Sequence, residues 1–137
     1  MKVCRTLQAV KHHLHELKTR SIVEEFLAGA EGTITVMPPS ASKPDYWALP
    51  TVVRYNHDDG IAPYNGIVAV TANSRVVAPA EAASDPAIGL AQRQCEDVAR
   101  LLKPTAPIRI DVRKRNDEPG CRFALFDVNM KPVSHEA

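Results

Sequence analysis

Three consecutive stretches near the C-terminal end constrain this chain most: Ile108–Arg113 (IRIDVR), Lys114–Gly120 (KRNDEPG) and Arg122–Asn129 (RFALFDVN). Two runs of β-favouring residues that bracket a Gly/Pro/Asn/Asp cluster predict a hairpin. Side chains alternate across a strand. Arg109, Asp111 and Arg113 therefore share one face, and Ile108, Ile110 and Val112 the other. In the second strand Asp127 and Asn129 share a face. A turn near Asp117–Glu118 sets Asp111 opposite Asp127, and directly opposed residues have Cβ atoms about 4.5–5.5 Å apart. Two carboxylates that close repel unless a cation lies between them. The residues alone leave two readings. One is an edge hairpin with solvated acids. The other is a set of oxygen donors (Asp111, Asp127 and Asn129) of the kind a hard divalent ion such as Mg²⁺ takes, with Arg109 as a fixed positive charge beside it.

The rest of the chain predicts one domain over residues 1–137, long enough to bury a core. A net charge of +1 argues against general binding to nucleic acid or to a membrane surface. No apolar run is long enough to span a bilayer, and the N-terminal residues do not read as a signal peptide. Cys4, Cys95 and Cys121 are odd in number, widely spaced and in no metal motif, which predicts reduced thiols and a cytoplasmic protein.

Apolar residues at Val3, Leu7, Val10, Leu14 and Leu17 predict an amphipathic helix over residues 2–18. His12 and Glu16 sit four apart on it and read as a solvated flank, since no third metal ligand accompanies them. Ile22–Val36 (IVEEFLAGAEGTITV) reads as a hairpin of residues 21–27 and 32–37, with Ile22, Val23, Phe26 and Leu27 in the core and Gly29 at the turn. Pro38–Leu49 is a proline-rich loop, Thr51–Tyr55 a short strand, and Asn56–Gly66 a loop rich in turn residues. Ile67–Thr71 and Arg75–Val77 read as strands. Pro86–Leu102 reads as a helix with Asp85 as its N-cap and Pro86 in its first turn. The sum is an α+β domain with a largely antiparallel sheet and helices on one face. His57, Asp58 and Asp59 form a second cluster that reads as a turn more readily than as a base or metal ligand, and each of Arg54, His57, Tyr64 and Arg75 is a surface residue or a contact to a carboxylate.

The segment IRIDVR…FALFDVNMKP resembles the metal-binding end of the ATP-grasp fold, most closely the D-alanine–D-alanine ligase group of carboxylate–amine ligases. That family carries an R-x-D strand, a hairpin, and an acidic-x-Asn strand ending near Pro. Ile22–Val36 resembles the same family's adenine strand, V-E-x-x-φ followed by a Gly turn and E-x-T-φ-x-V, where φ is apolar. The likeness runs from about Ser21 to Val133. It implies that Asp111, Asp127 and Asn129 hold Mg²⁺ (or Mn²⁺) on the phosphates of ATP and that Arg109 stabilises charge on the transferring phosphoryl group. Glu24 would face the adenine, backbone around Glu25, Phe26 and Leu27 would bond its edge, and Glu31 would accept from the ribose hydroxyls. One departure stands out: the family usually has Glu where this chain has Asp127, one methylene shorter.

The resemblance implies an ATP-dependent carboxylate–amine or carboxylate–thiol ligase. In such enzymes ATP converts a small carboxylate substrate to an acyl phosphate that a nucleophile then attacks. The chain contains no G-x-x-x-x-G-K-[ST] loop, and Lys11 and Lys18 do not match the family's phosphate lysines. It is expected to be the C-terminal half of an ATP-grasp unit that works with an upstream half-domain or as a homo-oligomer. The alternative is an inactive fragment that serves as a binding or interaction module.

Overall fold

The computed structural model describes residues 2–55 and 73–130. The expected loop Asn56–Gly66 with His57, Asp58, Asp59 and Tyr64, and the expected strand Ile67–Thr71, lie outside the described residues. The described elements are α1 (Leu7–Leu17), β1 (Glu31–Met37), β2 (Trp47–Ala48), β3 (Val52–Arg54), β4 (Ser74–Val76), α2 (Pro79–Ser84), α3 (Pro86–Leu102), β5 (Ile108–Lys114) and β6 (Phe123–Asn129). The strands form one sheet in the order β4-β3-β1-β5-β6, with β2 also paired to β1, and every pairing is antiparallel. The fold is thus α+β with a mostly antiparallel open sheet.

Strict alternation divides the sheet into two faces. Ile34 and Val36 of β1 and Ile108, Ile110 and Val112 of β5 point to one side, where all five are fully buried. There they meet Ala87, Ile88, Ala91, Cys95 and Ala99 of α3. The small residues of α3 let the helix lie close to the sheet, and the branched residues of the strands fill the space between. Each fully buried Ile contributes about 1.5–3 kcal/mol. Burial also pushes the Cys95 thiol up to about 12, with Glu96 adding to the effect. All three cysteines are free thiols.

The helix α3 starts where its sequence predicts. The Asp85 side chain accepts from the Ala87 N–H at 3.0 Å, and Pro86 occupies the first helical position. Lys103 closes the helix in the left-handed region, at φ 51°. Lys114 continues the core-facing row of β5, yet its ammonium leaves the apolar layer, lying 5.1 Å from the centre of the Phe123 ring and 2.6 Å from Asp85 Oδ2. That pair fastens the end of β5 to the start of α3.

Three expectations need correction. First, α1 begins at Leu7, because the Thr6 side chain accepts from the Ala9 N–H at 3.1 Å and caps the helix there. Its apolar stripe is also uncovered, with Leu7 70% exposed.

Second, residues 21–27 are not a strand and do not pair with β1. Both edges of β1 are taken, one by β5 over Glu31–Val36 and the other by β3 and β2. The chain instead docks on the start of the β5–β6 turn: the N–H groups of Ala28 and Gly29 donate to the carbonyls of Arg115 and Lys114 at 3.0 and 2.9 Å. Gly29 serves this close approach, since a Cβ there would lie 2.5 Å from the Asn116 carbonyl oxygen. Ile22, expected in the core, is 86% exposed.

Third, the helices do not all cover one face. Whereas α3 covers the apolar face, Val10, Leu14 and Leu17 of α1 line a cavity that also reaches Glu31 and Asp111 of the opposite face. No helix among the described residues is long and apolar enough to cross a membrane.

Candidate functional site

The second face of the sheet is built from charged and hydroxyl side chains in cross-strand rows. The first row is Arg54, Glu31 and Arg113, from β3, β1 and β5. The next is Thr33, Asp111 and Asp127, from β1, β5 and β6, and the third is Thr35, Arg109 and Asn129. Signs alternate across the first row and along β5, whereas the second row sets two carboxylates, Asp111 and Asp127, side by side. Glu31 lies between two arginines in its own row, and Asp111 lies between Arg109 and Arg113 along its own strand.

This alternation lets the charges be buried. Glu31 and Asp111 are buried residues, and the Arg54 and Arg113 side chains are each only 12% exposed. Glu31 lies 3.7 Å from Arg54 and 3.3 Å from Arg113. Asp111 accepts from the Thr33 hydroxyl at 2.7 Å and lies 3.8 Å from Arg54 and 3.4 Å from Arg109. Arg54 also donates to the Thr33 hydroxyl at 3.2 Å. Removing charges from water costs several kcal/mol per ion unless pairing and hydrogen bonds offset it. Each acid here has at least two such partners.

The hairpin sets Asp127 directly opposite Asp111, as its turn predicts. The alignment depends on a feature the sequence reading missed. Phe123 and Leu125 pair with Lys114 and Val112 on the α3 side, so strict alternation would send Asp127 to that side as well. A bulge between Asp111 and Val112 of the ladder absorbs Phe126 and returns Asp127 and Asn129 to the face of Asp111. Bulges commonly re-aim side chains in this way. The sequence signal was present: Phe123, Leu125 and Asp127 share parity, and two apolar positions followed by an acid at a third conflict with one buried face.

A cavity of about 850 Å³ opens over the charged face. Its apolar wall is the stripe of α1 with Ile22, Val23, Phe26 and Leu27, and Phe126 joins from the bulge. Its polar floor is Glu31, Arg54, Asp111 and Arg113. Its apolar wall is itself open to solvent, with Ile22 86% and Val23 59% exposed, so the cavity is a broad groove over the charged face.

Of the residues singled out from sequence, Glu24, Glu25, Phe26, Leu27, Glu31 and Asp111 all line this one cavity. Glu25 in addition pairs with Arg115 at 2.9 Å in an exposed bridge. Arg109, Asp127 and Asn129 stand in the rows around Asp111, on the same face. Arg54 is drawn in as a buried partner of both acids. Arg75 is not: it faces the other side and pairs with Glu81 of α2 at 2.7 Å. His12 and Glu16 form an exposed i,i+4 contact at 3.3 Å, as expected of a solvated flank.

Among the described residues no group of three or more His, Cys, Asp and Glu side chains is arranged to hold a metal ion. Asp111, Asp127 and Asn129 nonetheless bring hard oxygen donors to one face, and Asp127 is exposed. Mg²⁺ is commonly held by one or two carboxylates together with waters and substrate phosphates. These are oxygen donors of the type Mg²⁺ takes, and Asp111 among them is already engaged by Thr33, Arg54 and Arg109. Comparison with known proteins adds nothing: no family model matches the chain, and no curated protein does.

Proposed function

We propose that this chain carries the ATP- and Mg²⁺-binding half-site of an ATP-dependent carboxylate–amine ligase of the ATP-grasp type. One observation carries the reading. Residues 24–27 and Glu31, which the resemblance assigns to adenine and ribose, line the same cavity as Asp111, which it assigns to the metal. These segments are some eighty residues apart in sequence, and their convergence on one cavity is what a single bound nucleotide requires.

In this reading Phe26 and Leu27 offer the base an apolar surface, with the stripe of α1 facing it across the groove. Glu31, held by Arg54 and Arg113, presents its carboxylate to the sugar hydroxyls. Asp111, Asp127 and Asn129 would hold Mg²⁺ on the phosphates; when bound, the ion neutralises phosphate charge and orients it for transfer. Arg109 lies 3.4 Å from Asp111 and keeps a fixed positive charge beside the row, where charge grows in the transition state. The substrate would be a small carboxylate, activated as an acyl phosphate for attack by an amine or a thiol.

A second reading has its own support. Asp111 is already engaged by Thr33, Arg54 and Arg109, so the face is held together without any ligand. The chain would then be a binding module with a retained half-site and no turnover.

Mn²⁺ in place of Mg²⁺ gives a direct test by electron paramagnetic resonance. The chain with ATP is expected to immobilise Mn²⁺, and Asp127→Asn is expected to reduce that immobilisation without changing the unfolding transition. Equal immobilisation by the variant would remove Asp127 from the site.

A further inference from the structure

Resting on the nucleotide reading above, we infer that Arg113 is a positioning residue that makes the site select a nucleoside triphosphate over a bare polyphosphate. Its guanidinium engages at least three groups at once. Nε donates to the Gly29 carbonyl at 3.2 Å, one terminal nitrogen donates to Glu31 Oε2 at 3.3 Å, and the guanidinium carbon sits 5.2 Å from the centre of the Phe26 ring. Arg113 itself lines the cavity.

The contacts join two parts of the wall that have no ladder between them. Phe26 belongs to the segment that does not pair with the sheet, and Glu31 is the first residue of β1. A planar cation with a fork of donors can stack on an aromatic face and hold a carboxylate at once, whereas an ammonium acts as a point charge. Arg113 therefore fixes the distance between an apolar surface suited to a base and a carboxylate suited to sugar hydroxyls. A ligand gains from both only if it carries base and sugar together. The phosphate end, around Asp111 and Asp127, does not depend on this spacing.

The test is calorimetric titration of the 137-residue chain with MgATP and, separately, with Mg²⁺-tripolyphosphate, for the natural sequence, Arg113→Lys and Arg113→Met. Thermal unfolding of each is followed in parallel. Arg113→Met is expected to weaken MgATP about tenfold, the scale of one lost charge-assisted hydrogen bond, and to leave tripolyphosphate affinity unchanged. Arg113→Lys is expected to unfold with the natural chain and to recover part of the MgATP loss. Equal weakening of both ligands, or of neither, overturns the inference while the nucleotide reading stands. A natural chain that binds neither ligand overturns both.

Discussion

The two faces of the central sheet use the same strands and oppose each other in almost every respect. Against α3 the side chains are apolar, small or branched, and fully buried. On the cavity side they are Arg, Glu, Asp and Thr, buried only because each charge has partners. Apolar burial is non-directional and tolerates repacking, whereas a buried ion-pair lattice needs each member in place. Replacing a buried ion network with apolar residues of similar volume is often neutral or stabilising. The charged face is therefore not there to hold the fold together. The apolar face carries the stability, and the charged face is where the proposed nucleotide chemistry would sit.

The sharpest way to break that comparison is at Ile110, fully buried against α3. Ile110→Ala is expected to lower unfolding free energy by about 2–5 kcal/mol in a denaturant titration. On the other face of the same strand, Asp111→Asn keeps the shape and the acceptor for Thr33 but leaves Arg54 and Arg109 short of a negative partner. A smaller loss, about 1–3 kcal/mol, is expected there. An Asp111→Asn loss larger than that of Ile110→Ala would mean that the charged face dominates stability.

The smallest expected effect is at the seam between β5 and α3. The Lys114 hydrogen bond holds the Asp85 carboxyl below its ordinary value of 3.8, and the Ala87 N–H adds to this. A carboxyl depressed in the folded state stabilises the fold above its unfolded pKa and loses that contribution as pH falls through the lower folded value. Asp85→Asn retains the N-cap, since Asn caps about as well as Asp, but removes the charge. Its unfolding midpoint is expected to lie slightly below that of the natural chain at neutral pH, to begin converging with it as pH falls past about 4, and to meet it only below the depressed folded value. A constant gap down to low pH would show that Lys114 contributes nothing through charge.

Periodicity made some elements legible and neighbours hid others. The helix Pro86–Leu102 and the β5–β6 hairpin stand as read, because capping, proline placement and turn residues are local signals. The opposition of Asp111 and Asp127 was also readable, whereas the bulge at Phe126 that permits it shows in the sequence only indirectly, as the parity conflict of Phe123, Leu125 and Asp127. Residues 21–27 look like a strand in isolation, and only the occupied edges of β1 deny them that state. The short helix α2, Pro79–Ser84, was missed because six residues give too few turns for a periodic pattern. Arg54 read as a surface residue or a substrate contact. Its burial between Glu31 and Asp111 follows from a strand order that no local pattern encodes.

The central claim is that the charged face and its cavity form one nucleotide half-site. Calorimetric titration of ATP with and without Mg²⁺, into the natural chain and into Asp111→Asn/Asp127→Asn, tests it most directly. The account predicts Mg²⁺-dependent ATP binding by the natural chain that disappears in the double variant. ATP binding of equal strength in both, or none in the natural chain, would contradict it.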